Sequence, residues 1–244
     1  MRDGFVEIVF RIVAAILGVF VLMFSFLVLA IKSVTRQAEQ SRRRDLLTLK
    51  AQDLGLTFNA ERRADFAHKY GFLGKLGITD GALRQSCINV MTGEHDENPI
   101  TLFDYYFVTD DFSVWWWAPS WEMHCYLSFI IVSMKSDFPE LTIAKEGFFS
   151  KIAQAIGFDD IDFESHAFSQ RYTVRSKDKK FAYDFCNAQM IDYLLDQPTM
   201  TIEVEKDALA LSFDDQFNAA QTDAHLSHVT KLRSLMPNYL FDTP

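Results

Sequence analysis

Three cysteines in 244 residues, Cys87, Cys125 and Cys186, are too few and too widely spaced for a disulfide framework, and no C-x-x-C joins any two. An odd, scattered set of this kind fits reduced thiols in a reducing compartment. No N-x-[Ser/Thr] sequon occurs. The signatures of zinc hydrolases and serine nucleophiles, H-E-x-x-H and G-x-S-x-G, are missing too. Glycine is sparse, and Gly71, Gly74, Gly77 and Gly81 follow a G-x-x-G-x-x-G spacing rather than the dinucleotide G-x-G-x-x-G. No Gly-Lys-[Ser/Thr] follows to form a phosphate loop, so this segment reads as a turn-rich loop. No Pro-, Gly- or Ser-rich linker divides the later chain, and no repeat of fixed period is present.

Charge is also missing from one long stretch. Ile12 to Ile31 carries no ionisable side chain, and Ser25 is its one polar residue. Twenty residues at about 1.5 Å rise each match a hydrocarbon core of about 30 Å. A cleaved signal peptide has a shorter apolar core ending in small residues, whereas here Lys32-Ser33-Val34-Thr35-Arg36 follows. A buried core helix is the other rival, but this segment is apolar on every face and charges bracket it. The lipid bilayer is therefore the expected partner of Ile12–Ile31.

The flanks set an orientation. Lys32, Arg36, Arg42, Arg43 and Arg44 lie on the C-terminal side, against Arg2 and Arg11 on the other. Positive residues remain cytoplasmic, which places the long C-terminal part inside. Residues 1–44 hold seven basic and three acidic side chains, net +4; the remainder holds seventeen basic and thirty acidic, net −13. The basic run serves topology and anionic headgroups. An acidic domain lacks the positive face nucleic acid needs, so nucleic acid is not an expected partner.

The expected organisation is a transmembrane anchor over 1–32, a basic juxtamembrane helix over 33–54 and an acidic cytoplasmic α+β domain over 55–244. Leu47, Ala51 and Leu54 give the juxtamembrane helix an apolar stripe, and Gly55 ends it. Gly55–Phe58 reads as a strand and Ala60–Tyr70 as a helix. Arg84–Thr92 and Ile100–Thr109 read as strands joined by a loop over 93–99. Tyr126–Met134, apolar on both faces, reads as a central strand, with Leu141–Ile143 as a further short one. Phe148, Ile152, Ala155 and Ile156 form a helical stripe. Ile161 and Phe163 alternate with acidic residues as a half-wet strand, and Arg171–Arg175 is another. Asn187 is the expected N-cap of a helix that ends near Leu195. Met200–Val204 and Leu209–Phe213 alternate on either side of Lys206-Asp207, as in a hairpin with one buried face. A last helix spans about Phe217 to Met236 and stops at Pro237. Antiparallel strands interrupted by helices make the class α+β, a single N-terminal transmembrane helix followed by one mainly antiparallel sheet domain with packed helices.

The stretches Ile100–Tyr105, Gly157–Ser165, Phe168–Tyr172 and Phe181–Asp184, in this order, resemble a widespread family of uncharacterised bacterial proteins with one N-terminal transmembrane helix and a cytoplasmic α+β domain. The resemblance covers roughly residues 45–240. It implies a bacterial inner (cytoplasmic) membrane protein and brings no activity, cofactor or catalytic residue. Where that family has a short polar, often basic hairpin tip, this chain has Asp110 to Trp121.

The candidate sites follow from residue chemistry. Asp160, Asp162 and Glu164 would share one face of a strand, where they could meet a hard cation or act as acid and base; calcium loops carry a Gly within such a set, and none lies there. A solvated face is the simpler reading. His225 and His228 stand at i, i+3 on the last helix without a third ligand of recognisable spacing. His124 and Cys125 are adjacent on a strand and point to opposite faces, which prevents direct pairing. No metal, cofactor or catalytic set is expected.

The strongest candidate is Trp115, Trp116, Trp117 and Trp121, all the tryptophans of the chain within seven positions. Tryptophan anchors protein interfaces and membrane boundaries, and it also fills cores. The favoured reading is a membrane-tethered, non-enzymatic interaction module, docking a membrane-protein partner through this tip as an accessory or scaffold subunit. The competing reading is a ligand-sensing or hydrolytic domain working through Asp160, Asp162 and Glu164.

Overall fold

A computed structural model describes residues 2–63, 66, 69–76, 85–111, 121–145, 160–214 and 216–241; side chains are described from Ile16 onward, apart from 74–76, 109–111 and 121–125. It divides into two compact units, residues 1–46 and 47–244. One helix, α1 (Arg2–Asp53), runs from the first unit into the second. The juxtamembrane helix is thus the end of α1 rather than a separate element, because no Pro interrupts residues 2–53. From Ile16 to Ile31 its large apolar side chains, among them Phe20, Leu22, Phe24 and Phe26, are exposed. This helix is long and apolar enough to cross a membrane.

α1 ends as its sequence dictates. Gly55 adopts φ +69°, the Leu56 amide donates to Ala51 O at 2.8 Å and the Gly55 amide to Gln52 O at 3.1 Å. That pair of bonds is the Schellman arrangement, which a residue with a Cβ resists. Leu47 and Ala51 are wholly buried in the core of the second unit.

The second unit is α+β. Its strands are β1 (Thr57–Asn59), β2 (Gln85–His95), β3 (Asn98–Asp111), β4 (Trp121–Lys145), β5 (Tyr172–Ser176) and β6 (Thr201–Phe213). All pairings among the described residues are antiparallel. The helices are α2 (Gly71–Leu76), α3 (His166–Arg171), α4 (Lys179–Phe185), α5 (Ala188–Asp196) and α6 (Thr222–Leu235).

β4 is the central strand, as its doubly apolar pattern requires. One edge of β4 pairs with β3 through Val132 and then with β5 from Leu141; the other edge pairs with β6. Leu141–Ile143 is therefore the far part of β4, not a separate strand. Likewise Met200–Phe213 is no hairpin. β6 is one strand that stays on β4 throughout, with Lys206 at φ +53° where the register shifts. Both faces of β6 are covered, which corrects the expected wet face.

One face of the sheet, through Ile100, Leu102, Ile130, Val132, Leu209 and Leu211, packs on Leu226, Val229 and Leu232 of α6 and on α4 and α5. The other, through Phe103, Tyr105, Phe129 and Ile131, packs on Tyr70, Phe72 and Leu73. Each such side chain contributes about 1.5–3 kcal/mol on burial. Asn187 caps α5 as expected, accepting from the Met190 amide at 3.1 Å, and its Nδ2 donates to Leu235 O at 3.0 Å on α6.

Other expectations need correction. Gly71–Leu76 is helical rather than looped, because the Glu205 carboxylate accepts from the Phe72 amide at 2.9 Å and satisfies the start of α2. Arg63 bridges Cys87, so the helix expected from Ala60 does not begin there. The loop over 93–99 is a two-residue turn: Asp96 and Glu97 have φ +48° and +63°, a type I′ geometry that lets both strands run to the turn. The helical stripe of Phe148, Ile152, Ala155 and Ile156 lies outside the described residues.

Candidate functional site

The membrane-flanking residues and the tryptophan tip sit on different elements. Lys32, Arg36, Arg42, Arg43 and Arg44 lie on α1, all exposed except the half-buried Arg43. At 3.6 residues per turn, Lys32, Arg36 and Arg43 fall along one side. Trp121 opens β4, with its backbone paired to Asp111. Trp115, Trp116 and Trp117 lie outside the described residues. Among the described residues, β2 reaches only Phe107 of β3 and β6 only Ser128 of β4. Among the described residues, Val108–Asp111 and Trp121–His124 thus pair only with each other, a two-stranded ribbon leading to the tryptophan-bearing segment.

Asp160, Asp162 and Glu164 do not form the expected strand face. Asp160 makes a single bridge to Arg175, whose Nε stands 2.6 Å from its carboxylate. The Ile161 amide donates to Val174 O at 2.9 Å, then Ser165 caps α3 by accepting from the Phe168 amide. Backbone groups that a strand would give to a ladder go to this cap and turn instead. Asp160 and Asp162 line a cleft of about 440 Å³ with Ser169 and Thr173, while Glu164 is exposed.

The two histidines of α6 are turned to different neighbours. His228 Nδ1 is 2.7 Å from the Tyr193 hydroxyl of α5. The His225 ring lies 3.8 Å from the Phe213 ring, centre to centre. Burial lowers the pKa of both, and for His225 the neighbouring His228 adds to this. The backbones of His124 and Cys125 pair with Val108 and Phe107.

A residue that pattern reading passed over organises a second cavity. Asp104 is wholly buried on β3, and its carboxylate accepts from Asn89 Nδ2 at 2.8 Å, Ser128 Oγ at 2.9 Å and the Phe217 amide at 2.8 Å. A buried carboxylate persists only when so satisfied. Its signal was an acid inside the run Leu102–Val108, whose other residues are all aliphatic or aromatic. Asn89 reaches it because the β2 bulge holds that residue at φ +53°. Asp104 fixes the Ser128 proton and pins the connection between β6 and α6.

Ser128 and Phe217 are in turn part of the wall of a cavity of about 260 Å³. Lys145, Thr199, Met200 and Thr201 line it together with Phe213, Asp214, Gln216 and His225. A straight strand of thirteen residues would separate Thr201 from Phe213 by about 40 Å. Both residues border one cavity, so the ribbon of β4 and β6 is bent, with its irregular register at Ser133–Leu141 and Lys206 as the place.

No protein-family model and no curated protein sequence matches the chain. Among solved structures it is similar to the crystal structure of the mycobacterial trehalose monomycolate transport factor A, TtfA, at 15% identity and a TM-score of 0.52, covering 80% of this chain and 95% of that one. At this identity the likeness is one of fold: the α+β arrangement described above is shared with a transport factor of mycobacteria.

Proposed function

We propose that the chain is a membrane-tethered, non-enzymatic interaction module, an accessory or scaffold subunit of a bacterial inner-membrane protein complex. The observation that carries this reading is α1, whose exposed apolar surface from Ile16 to Ile31 needs a bilayer and whose last turns are built into the core of the second unit. The basic residues Lys32, Arg36, Arg42, Arg43 and Arg44 keep residues 47–244 on the cytoplasmic side. A membrane-protein partner docks on the end of the β3–β4 ribbon, through Trp115, Trp116, Trp117 and Trp121. The description of TtfA as a transport factor is in keeping with an accessory role.

The alternative, ligand sensing or hydrolysis through Asp160, Asp162 and Glu164, requires converging carboxylates. Pairing of Asp160 with Arg175 opposes it.

Gentle detergent extraction of the tagged full-length chain, followed by identification of co-purifying proteins, tests the proposal. Replacing Trp115, Trp116 and Trp117 with Ser should remove a specific membrane-protein partner while the melting temperature stays within a few degrees. Unfolding of the triple variant would make these tryptophans core residues and overturn the docking role.

A further inference from the structure

The 260 Å³ cavity has a charge arrangement that selects a class of ligand. Its lining residues come from both ends of the bent β4–β6 ribbon. Lys145, at the end of β4, stands with Thr199, Met200 and Thr201; Asp214, just past the end of β6, stands with Phe213, Gln216 and Phe217. Both charged residues are exposed, at the mouth of the cavity, and neither has an ion-pair partner among the described residues. The lining also carries neutral hydrogen-bonding side chains, Ser128, Ser212 and Gln221, beside the apolar rings of Phe213 and Phe217.

We propose that this cavity binds a small zwitterion of the amino-acid class, its carboxylate met by Lys145 and its ammonium by Asp214. A lining with one cation and one anion has no net preference for an anion or a cation. It favours a molecule that carries both charges. A singly charged molecule leaves one of the two side chains unpaired, and a blocked molecule leaves both. The volume lies just below the range of about 300–1,000 Å³ typical of drug-sized ligands, which limits the occupant to a few residues' worth of atoms. Thr199, Thr201 and Gln216 can hydrogen-bond the ligand's polar backbone, and Phe213, Phe217 and Met200 offer an apolar wall to a side chain.

Calorimetric titration of the full-length chain in detergent with glycylglycine and 4-aminobutyrate provides the test, alongside acetate, glycinamide and N-acetylglycinamide. The two zwitterions should bind at least tenfold more tightly than the singly charged and blocked compounds. Lys145→Met and Asp214→Asn should each weaken zwitterion binding at least tenfold. Both positions are exposed, so circular dichroism and melting temperature should be unchanged. Equal binding of zwitterions and N-acetylglycinamide, no heat with any zwitterion, or full retention of binding in either variant would overturn the proposal. Partner co-purification by the same two variants should be unaffected, so this result stands apart from the docking role of the tryptophans.

Discussion

Lys50, in the last turn of α1, reaches Asp223 in the first turn of α6 at 2.7 Å and also Asp53 at 3.1 Å. The contact places an anion at the start of one helix and a cation at the end of another, both favourable to the helix dipoles. Its hydrogen bond to Asp223 is the main reason the Lys50 pKa is raised. The folded state therefore gains from Lys50 while the amine is charged, and the gain is lost as the pH rises through the raised value, above about 10.4. Asp223 is 64% exposed, so solvent and salt screen the pair. Lys50→Met should cost no more than about 1 kcal/mol, less in high salt, in urea denaturation of the full-length protein.

Asp104 should matter far more. In Asp104→Asn, the retained amide oxygen can still accept from Ser128 Oγ and the Phe217 amide, as Oδ1 does, but the new amide nitrogen in place of Oδ2 faces Asn89 Nδ2, donor against donor. We expect a loss of about 1–3 kcal/mol, measured by chemical denaturation, because one buried donor is left unsatisfied. A change below about 0.5 kcal/mol would mean that the network is not under stress.

At Gly71, an added Cβ would overlap both carboxylate oxygens of Glu205. Gly71→Ala should displace that side chain from the Phe72 amide and cost about 1 kcal/mol, the usual worth of a cap. The same change in a Glu205→Ala background should cost less, since the cap is already gone. Equal costs in the two backgrounds, read as a double-mutant cycle, would break the link.

The histidines of α6 predict acid sensitivity. Both have folded pKa values below the ordinary value of about 6.5, so the unfolded chain takes up protons first. Their effect is absent at higher pH; stability then falls as the pH drops below about 6.5 and levels off beneath the folded values. His225→Phe together with His228→Gln should flatten the stability profile between pH 6.5 and 5. A profile as steep as that of the wild type would assign the fall to other groups.

Orientation is testable by thiol chemistry, with a caution drawn from the fold. Cys87 and Cys186 are buried, so their failure to react reports burial rather than sidedness. Glu94, exposed near the β2–β3 turn, is the better reporter. Glu94→Cys should resist an impermeant maleimide in intact cells and react after lysis; reaction without lysis would reverse the assigned topology.

Several of these features were legible before any tertiary structure. Twenty residues without charge, followed by Lys32 and Arg36, specify a helix suited to a bilayer because the hydrophobic effect and charge solvation act on each residue locally. Gly55, Asn187 and Pro237 mark helix boundaries for equally local reasons, namely left-handed φ, a side chain that caps an amide, and a missing N–H. The apolar run of Tyr126–Met134 announces a strand covered on both faces.

What the tertiary structure decided were relations between distant residues. Alternation around Lys206-Asp207 is the same for a hairpin and for one bulged strand; pairing with β4 makes it the latter. The carboxylates of Asp160, Asp162 and Glu164 alternate as in a strand, yet a helix cap at Ser165 ends that pattern, Asp160 pairs with Arg175, and the cleft that Asp160 and Asp162 line does not include Glu164. Asp104 meets the Phe217 amide across 113 positions of chain, and a cavity joins both ends of β6. Periodicity records which side of an element is apolar. Partners, bulges and cavities depend on how the chain closes on itself, where the need to satisfy every buried donor selects one pairing among many with the same pattern.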